Sequence, residues 1–312
     1  MDKEHNAIEL IKMASNMSIR YYEKPIVCTY SGGKDSDVLL ELFLRSGVEF
    51  EVHNSHTTAD APQTVYHIRD KFRRLEEKGI KCTIQRPVMS MWQLIPFEKM
   101  PPTRTARYCC SYLKETACEN RMISTGVRWD ESNARKERGP LEVIARKKKD
   151  KLVLQRSDIY EDEPEENTQI SLFDEEPGET MLMNDNTKKR LMFERCQLKA
   201  KSVCNPIVDW TNKELWDYIN AEHIETNPLY RCGFSRVGCI GCPMADKQRY
   251  FQFSHFPKYR QLYINAFKRM LIEIWKTGRK TRWKNEHEVF EWWMEEKNIE
   301  GQMSLDDYNY EW

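Results

Sequence analysis

The chain has 312 residues, of which 40% are hydrophobic and 11% aromatic. This composition can build a core and excludes wholesale disorder. Lys and Arg number 49, Asp and Glu also number 49, and the formal net charge is zero. The charges are unevenly distributed, however, because residues 161–180 hold nine acidic residues and no basic one. The rest of the chain is therefore basic, and neutrality does not exclude a nucleic-acid ligand.

The N-terminal sequence lacks the basic and apolar regions of a signal peptide, and no apolar run reaches bilayer length. We therefore expect a cytoplasmic protein with no membrane partner. In that compartment, the ten cysteines favour free thiols or metal ligands over disulfides.

Strand-like and helix-like segments alternate along the first half of the chain. The pattern predicts strands at Ile26–Tyr30, Phe50–His53, Cys82–Gln85 and Met122–Val127, and helices at Asp37–Leu44, Ala61–Lys78 and Arg107–Asn120. Repeated βα units are typical of an α/β fold with a doubly wound, largely parallel sheet and helices on both faces.

The alternation stops over residues 146–190, which we interpret as a mobile insertion with a hairpin strand at Leu152–Gln155 near its base. Order resumes at Ser202–Trp210, and a helix is predicted at Asn212–Ala221. The predicted organisation is a nucleotide-binding core over 1–145, the insertion over 146–190, the end of the core with a cysteine-rich turn over 191–245, and a helical C-terminal region over 246–312.

A glycine-rich loop, Ser31–Ser36 (SGGKDS), lies between the first predicted strand and helix. Backbone N–H groups and the helix dipole favour anions at such a junction, and paired glycines let a phosphate approach the backbone. Lys34 adds a cation, and two serines add hydroxyl donors. The loop is not a Walker A motif, because its glycines are adjacent. The alternative interpretation is an ordinary βα turn.

The loop resembles the SGGKDS signature of the PP-loop nucleotide pyrophosphatases. Two later segments resemble the phosphoadenosine phosphosulfate (PAPS) reductase-like branch of that family: Gly126–Ser132 with Arg135, and Asn205–Thr211 with Leu215–Ile219. The resemblance implies an adenine nucleotide alpha-hydrolase-like fold that binds ATP and Mg²⁺, with Lys34 and Asp35 as catalytic residues. The implied nucleotide-binding residues are Ser31, Gly32, Gly33, Lys34, Ser36, Arg128, Glu131, Ser132 and Arg135.

Two arginines of this segment also have an interpretation that is independent of the family. Guanidinium groups bind phosphate or sulfate through two parallel hydrogen bonds, so Arg128 and Arg135 suit a nucleotide. Surface ion pairs with Glu131 and Glu137 are the alternative.

The spacing of Cys232, Cys239 and Cys242 is typical of a metal site, and Cys109 and Cys110 form a second group. A Cys-Cys pair with a distant CxxC resembles the [4Fe–4S] site of adenylylsulfate reductases. The predicted ligands are Cys110, Cys232, Cys239 and Cys242, with Cys109 as the substitute for its neighbour. Structural zinc is the main alternative to the cluster, and a redox disulfide between Cys239 and Cys242 is another.

Two features depart from the reductases that the chain resembles. Those enzymes lack a lysine at the position of Lys34, and they carry a nucleophilic cysteine in a C-terminal tail whose sequence is absent here. A lysine in the loop fits ATP. The sequence thus predicts an ATP-dependent adenylating enzyme that releases AMP and pyrophosphate and supports sulfur transfer to nucleic acid, similar to the Dnd-type DNA phosphorothioation sulfurtransferases. The alternatives are a PAPS or adenylylsulfate reductase and a non-catalytic accessory protein that binds nucleic acid or a sliding clamp.

Residues 247–284 contain eleven Lys or Arg and one acidic residue, interleaved with aromatic residues. This mixture predicts a nucleic-acid surface, although the aromatics of an amphipathic helix would instead form core. Gln169–Phe173 (QISLF) resembles the peptide that docks on the bacterial sliding clamp, which favours DNA over tRNA. A cysteine desulfurase partner is implied by the family resemblance alone.

Overall fold

The computed structural model describes residues 2–115, 117–144, 152–154 and 201–295. The acidic segment, Gln169–Phe173 and Cys196 lie outside these residues, as does most of the predicted insertion. The chain forms two compact units. Unit 1 comprises Met1–His56, Asp60–Arg86 and Thr116–Gly238, and unit 2 comprises Thr57–Ala59, Pro87–Glu115 and Cys239–Trp312. The segment Pro87–Glu115, which the sequence analysis placed in the nucleotide-binding core, thus groups with the C-terminal region.

Unit 1 is built on a seven-stranded sheet. Its strands are β1 (Ile26–Thr29), β2 (Phe50–Ser55), β3 (Cys82–Gln85), β4 (Met122–Ser124), β5 (Leu141–Ile144), β6 (Leu152–Leu154) and β7 (Lys201–Cys204), in the spatial order β3-β2-β1-β4-β7-β5-β6. The first five strands of that order are mutually parallel, whereas β5 is antiparallel to both β7 and β6. The predicted α/β class with a largely parallel sheet is confirmed.

Nine α-helices occur among the described residues. They are α1 (Lys3–Tyr22), α2 (Lys34–Ser46), α3 (Pro62–Glu76), α4 (Met91–Glu98), α5 (Tyr108–Leu113), α6 (Asn212–Ala221), α7 (Gln248–His255), α8 (Pro257–Lys276) and α9 (Glu286–Glu295). Helix α6 has the predicted bounds. The helix predicted over Arg107–Asn120 is wrong in length, because only Tyr108–Leu113 is α-helical and the backbone of Cys118 and Asn120 takes a left-handed conformation.

Alternate residues of the central strands pack in different clusters, as expected for side chains on opposite faces of a sheet. Ile26 and Cys28 belong to the large core that also contains buried residues of α1, α2, α3 and α6. Val27 lies instead in a small cluster with Ile123 and Val203. Both faces of the central strands are therefore apolar, which is typical of parallel strands.

Unit 2 has an aromatic core formed by α7, α8 and α9. Phe253, Tyr263, Phe267 and Trp293 are all buried there, and the rings of Tyr263 and Trp293 lie 4.6 Å apart. Arg249 is buried beside them and donates to the carbonyl oxygens of Trp293 at 2.9 Å and Met294 at 3.0 Å. The arginine thereby satisfies carbonyl groups in the last turn of α9.

In the described part of the chain, no helix combines the length and apolarity that a membrane span requires.

Candidate functional site

The glycine-rich loop connects β1 to the first turn of α2. Gly32 has φ +72°, and a Cβ atom there would lie 2.9 Å from the Ile68 side chain, so glycine is required on both grounds. The Ser36 hydroxyl accepts the N–H of Gly33 at 3.1 Å and donates to the Gly33 carbonyl at 2.7 Å. These bonds close the turn, and α2 begins at Lys34, three residues before the predicted start.

Two buried cations meet one carboxylate at the start of α2. Lys34 Nζ lies 3.2 Å from Asp35 Oδ2, and Arg128 Nε lies 2.5 Å from Asp35 Oδ1. Lys34 is 8% exposed and Arg128 is 1% exposed. A second carboxylate, Asp130, lies 3.9 Å from Arg128 but is half exposed, so its charge is well screened. The site therefore holds two buried cationic side chains, which can bind phosphate oxygens.

Gly126 allows the loop after β4 to approach α2. A Cβ atom at this position would lie 2.9 Å from the carbonyl oxygen of Asp35 and 3.0 Å from its carbonyl carbon. Strands β1 and β4 are parallel neighbours, and the chain continues from β1 to β2 on the opposite side. The loop therefore lies at a switch point of the sheet, where α/β proteins bind ligands.

The segment after β7 holds the Gly126–Ser132 segment in place. Trp129 N–H donates to the Val208 carbonyl at 2.8 Å, and Arg128 Nη1 donates to the Trp210 carbonyl at 3.2 Å. Asn205 is fully buried, and its side-chain oxygen accepts the Thr125 hydroxyl at 2.5 Å. The two segments that resemble the PAPS reductase-like branch are thus in direct contact.

The remaining predicted nucleotide-binding residues lie on two short helical turns after Arg128. Glu131 Oε2 accepts the backbone N–H of Arg128 at 3.1 Å and also pairs with the Arg135 guanidinium. Ser132 is exposed. The alternative of an ion pair between Arg135 and Glu131 is therefore observed, whereas Arg128 is turned inward to Asp35.

Asn227 and Tyr230 contact the glycine-rich loop and were not predicted from the sequence. Asn227 is fully buried and donates to the Gly32 carbonyl at 2.9 Å and to the Thr64 hydroxyl at 3.1 Å. The Tyr230 hydroxyl accepts the Lys34 N–H at 2.9 Å. The only available signal was the turn-forming Asn227-Pro228 pair ahead of the cysteines.

A buried polar triad lies behind the loop. The Tyr30 hydroxyl donates to Asp37 Oδ1 at 2.5 Å, and His67 Nε2 lies 3.0 Å from that hydroxyl and 3.2 Å from Asp37 Oδ1. Burial, reinforced by the Asp37 charge, raises the pKa of Tyr30 well above its usual value. The triad connects the ends of β1, α2 and α3.

Unit 2 contains a tight turn between Cys239 and Cys242. Gly241 has φ +76°, and a Cβ atom there would lie 2.6 Å from Phe253 Cζ and 2.8 Å from Tyr263 Cε2. The Tyr263 hydroxyl donates to the Ile240 carbonyl at 2.9 Å. The aromatic core of unit 2 therefore sets the conformation of this turn.

The thiols of Cys109 and Cys110 influence each other's pKa, and the cysteines of that turn influence the pKa of Cys109. The Cys109 thiol, with help from Arg107, lowers the pKa of Cys110 to about 5. Its hydrogen bond to Cys110, with further contributions from burial and from Cys239 and Cys242, raises the pKa of Cys109. All four of these cysteines lie in unit 2.

The fifth candidate, Cys232, belongs to unit 1 and is exposed. Within the residues that the structure describes, no three Cys, His, Asp or Glu side chains stand in a ready metal-binding arrangement. Four thiols nevertheless match an iron–sulfur cluster in donor type and number. Ligation would require their side chains to turn toward a common centre.

The basic and aromatic segment of unit 2 divides between core and surface. Phe253, Tyr263 and Phe267 are buried, whereas Tyr250 and Trp275 are more than half exposed. The basic side chains are exposed with the exception of Arg249: Lys247, Lys258, Arg260, Lys268, Arg269, Lys276, Arg279, Lys280, Arg282 and Lys284. The expected contribution of aromatic side chains to the core is observed for Phe253, Tyr263 and Phe267, and the nucleic-acid surface stays a prediction.

Residues 25–245 match the phosphoadenosine phosphosulfate reductase domain, and the chain belongs to this family. An uncharacterized protein of Methanocaldococcus jannaschii is 26% identical over 292 residues, which cover 91% of this chain and 50% of the relative. The adenosine 5′-phosphosulfate reductase of Neisseria meningitidis is 47% identical over 38 residues, or 12% of this chain and 16% of that enzyme. The chain therefore spans half or less of the length of these relatives.

Two solved structures resemble the fold at 12% sequence identity. The PAPS reductase of Candida auris covers 75% of this chain and 88% of its own, with a TM-score of 0.41. The U34-tRNA thiolase NcsA of Methanococcus maripaludis, which carries a [4Fe–4S] cluster, covers 87% of this chain and 81% of its own, with a TM-score of 0.39.

Proposed function

We propose that the chain transfers the adenylyl group of ATP to an acceptor oxygen and thereby prepares the acceptor for sulfur transfer. The observation that supports this best is the buried pair of cations, Lys34 and Arg128, that share Asp35 at the start of α2. Both side chains could bind oxygens of a phosphate chain. The lysine in particular suits a pyrophosphate leaving group.

In the proposed reaction the acceptor oxygen attacks the α-phosphorus, and the bond from that phosphorus to the bridging oxygen of pyrophosphate breaks. Lys34 and the first turn of α2 would stabilise the charge that develops on the departing pyrophosphate. Arg128 would orient the phosphate chain through its fixed guanidinium. A sulfur nucleophile would then displace AMP from the adenylated acceptor. Asp35 would supply a carboxylate ligand to the Mg²⁺ that accompanies ATP.

Release of pyrophosphate from ATP tests this proposal. Substitution Lys34→Ala should lower the rate by about 100-fold or more, which is typical of losing one group that stabilises the transition state. Lys78→Ala, on an exposed lysine that follows α3, is the matched control and should leave the rate unchanged. Full turnover by the Lys34→Ala variant would refute the proposal.

We further propose that Cys109, Cys110, Cys239 and Cys242 hold a [4Fe–4S] cluster. Bound there, the cluster would carry or position sulfur. After anaerobic purification, about four irons per chain should be present. Cys109→Ser should lose iron, whereas Cys232→Ser should retain it. The reverse pattern would restore Cys232 to the ligand set, and stoichiometric zinc without iron would exclude the cluster.

The exposed basic surface of unit 2 favours nucleic acid as the acceptor. The preference for DNA over tRNA rests on the sequence of Gln169–Phe173. Exposed Tyr250 and Trp275 add faces on which unpaired bases could stack. Replacing Lys258 and Lys268 together by Ala should weaken binding to single-stranded DNA. It should also reduce the salt dependence, by about 0.7 in the slope for each lost phosphate contact. An unchanged slope would show that these lysines are only solvated.

A reductase is the second candidate, because the adenosine 5′-phosphosulfate reductase of Neisseria meningitidis shares a segment of 47% identity. Sulfite release from adenylylsulfate with a thiol donor would favour it. Pyrophosphate release from ATP without sulfite formation would favour the adenylating enzyme.

A further inference from the structure

Tyr230 is held against the glycine-rich loop by the short helical turn Pro228–Cys232. Asn227 caps this turn by accepting the Leu229 N–H at 3.1 Å, while its side-chain nitrogen bonds to the Gly32 carbonyl. The Tyr230 ring packs edge-on against Trp216 at 5.5 Å. The capped turn and the ring contact with Trp216 together set the position of the hydroxyl.

The hydroxyl lies where an anion would meet the first turn of α2. It accepts the Lys34 N–H at 2.9 Å, and a Cβ atom on Gly33 would lie 3.5 Å from it. A phenol oxygen can accept two hydrogen bonds and donate one, so the bond from Lys34 leaves the hydroxyl proton available.

The proton of this hydroxyl is left for a further partner. Among the described residues, none accepts it. The hydroxyl is protonated at neutral pH, as tyrosine ordinarily is. While it accepts the Lys34 N–H, it can donate its proton to an acceptor that enters the site.

We propose that Tyr230 is a phosphate-binding residue that donates its hydroxyl proton to a non-bridging oxygen of the ligand's phosphate chain. This inference rests on the proposed nucleotide function of the same loop. By accepting the Lys34 N–H, the hydroxyl would extend the donor end of α2 toward the ligand. The hydroxyl would then lie between the Lys34 N–H and the bound phosphate oxygen. Lys34 and Arg128 would attract that oxygen electrostatically.

Calorimetric titration with inorganic pyrophosphate tests the inference on the full chain. Tyr230→Phe keeps the ring that packs on Trp216 and removes only the hydroxyl. It should weaken pyrophosphate binding by about 10- to 100-fold, the range for a lost hydrogen bond to a charged group. Tyr66→Phe is the matched control, because Tyr66 is 68% exposed on α3, and its affinity should equal that of the wild type.

The outcomes separate the two proposals. Wild-type chain that does not bind pyrophosphate would overturn the nucleotide function, and the role of Tyr230 with it. If the wild type binds pyrophosphate and Tyr230→Phe binds it equally or more tightly, only the role of Tyr230 is overturned. The hydroxyl would then occupy the anion position without donating to the ligand. If the variant does not fold, the test is made on the wild-type protein by ultraviolet absorption. Adding pyrophosphate should shift the tyrosine absorption to longer wavelength, as expected for a phenol that donates a hydrogen bond to an anion. No shift would overturn the inference.

Discussion

Substitution Gly126→Ala should disturb the nucleotide site through backbone contact alone. The added Cβ would lie 2.9 Å from the carbonyl oxygen of Asp35, whereas ordinary van der Waals contact begins at 3.4 Å. Main-chain atoms of α2 cannot rotate away as a flexible side chain would. The loop after β4 and the start of α2 must therefore separate by about 0.5 Å, and overpacking of this kind costs about 1–3 kcal/mol of unfolding free energy.

The same movement should weaken ATP binding. The bond of 2.5 Å between Arg128 and Asp35 crosses the widened gap, so the guanidinium would no longer be held in its present orientation. Loss of one well-aligned bond between charged groups predicts an affinity about tenfold lower. Urea denaturation measures the first effect and calorimetric titration with ATP measures the second.

Gly238→Ala is the control for this experiment, because a Cβ atom at Gly238 meets no atom within 4 Å. Both measurements on that variant should match the wild type. The reasoning would be refuted if Gly126→Ala and Gly238→Ala had unfolding free energies within about 0.5 kcal/mol of each other and equal affinities for ATP.

Three further predictions follow from other contacts. Tyr30→Phe should lower the unfolding free energy, measured by urea denaturation, by about 1–3 kcal/mol. The variant removes a hydrogen bond to Asp37, a buried carboxylate whose Oδ2 atom already lacks a partner. An unchanged unfolding free energy would mean that the triad rearranges. The hydrogen bond from Lys3 lowers the pKa of Glu214 to about 2, so its stabilisation is present above the unfolded pKa near 4.5 and disappears as the pH falls toward 2. Because the pair is about 40% exposed, Glu214→Gln should cost only about 0.5–1 kcal/mol at pH 7 and nothing near pH 2, and an equal cost at both pH values would contradict this. Gly241→Ala should destabilise unit 2 and lower the iron content of anaerobically purified protein, whereas normal iron content would show that the Cys239–Cys242 turn adapts.

Local sequence patterns predicted most of unit 1. The glycine-rich loop follows a buried strand and precedes a helix, and helix α6 begins after Thr211, whose hydroxyl accepts the Glu214 N–H. Helix α1 was missed although its signal was present: Asp2 caps its start, and Ala7, Leu10, Ile11 and Ala14 recur at helical spacing.

Contacts between distant segments could not be predicted in this way. Arg128 and Asp35 are 93 positions apart, and Tyr230 and Lys34 are 196 apart. Periodicity reports which face of an element is buried but not which charged group it meets. The sequence therefore identified Arg128 as a candidate phosphate ligand but not its pairing with Asp35, and nothing in it singled out Tyr230.

The connection between β6 and β7 contains most of the predicted insertion, and its length can vary. Strand β6 ends at Leu154 and β7 begins at Lys201, and because both are antiparallel to β5, they run in the same direction. A connection between parallel strands must return along the sheet and needs roughly a dozen residues. Residues 155–200 far exceed that requirement, and closure entropy grows only slowly with loop length. Segments of other length or composition could therefore be exchanged at these two points, in evolution or by engineering, while the parallel part of the sheet is retained.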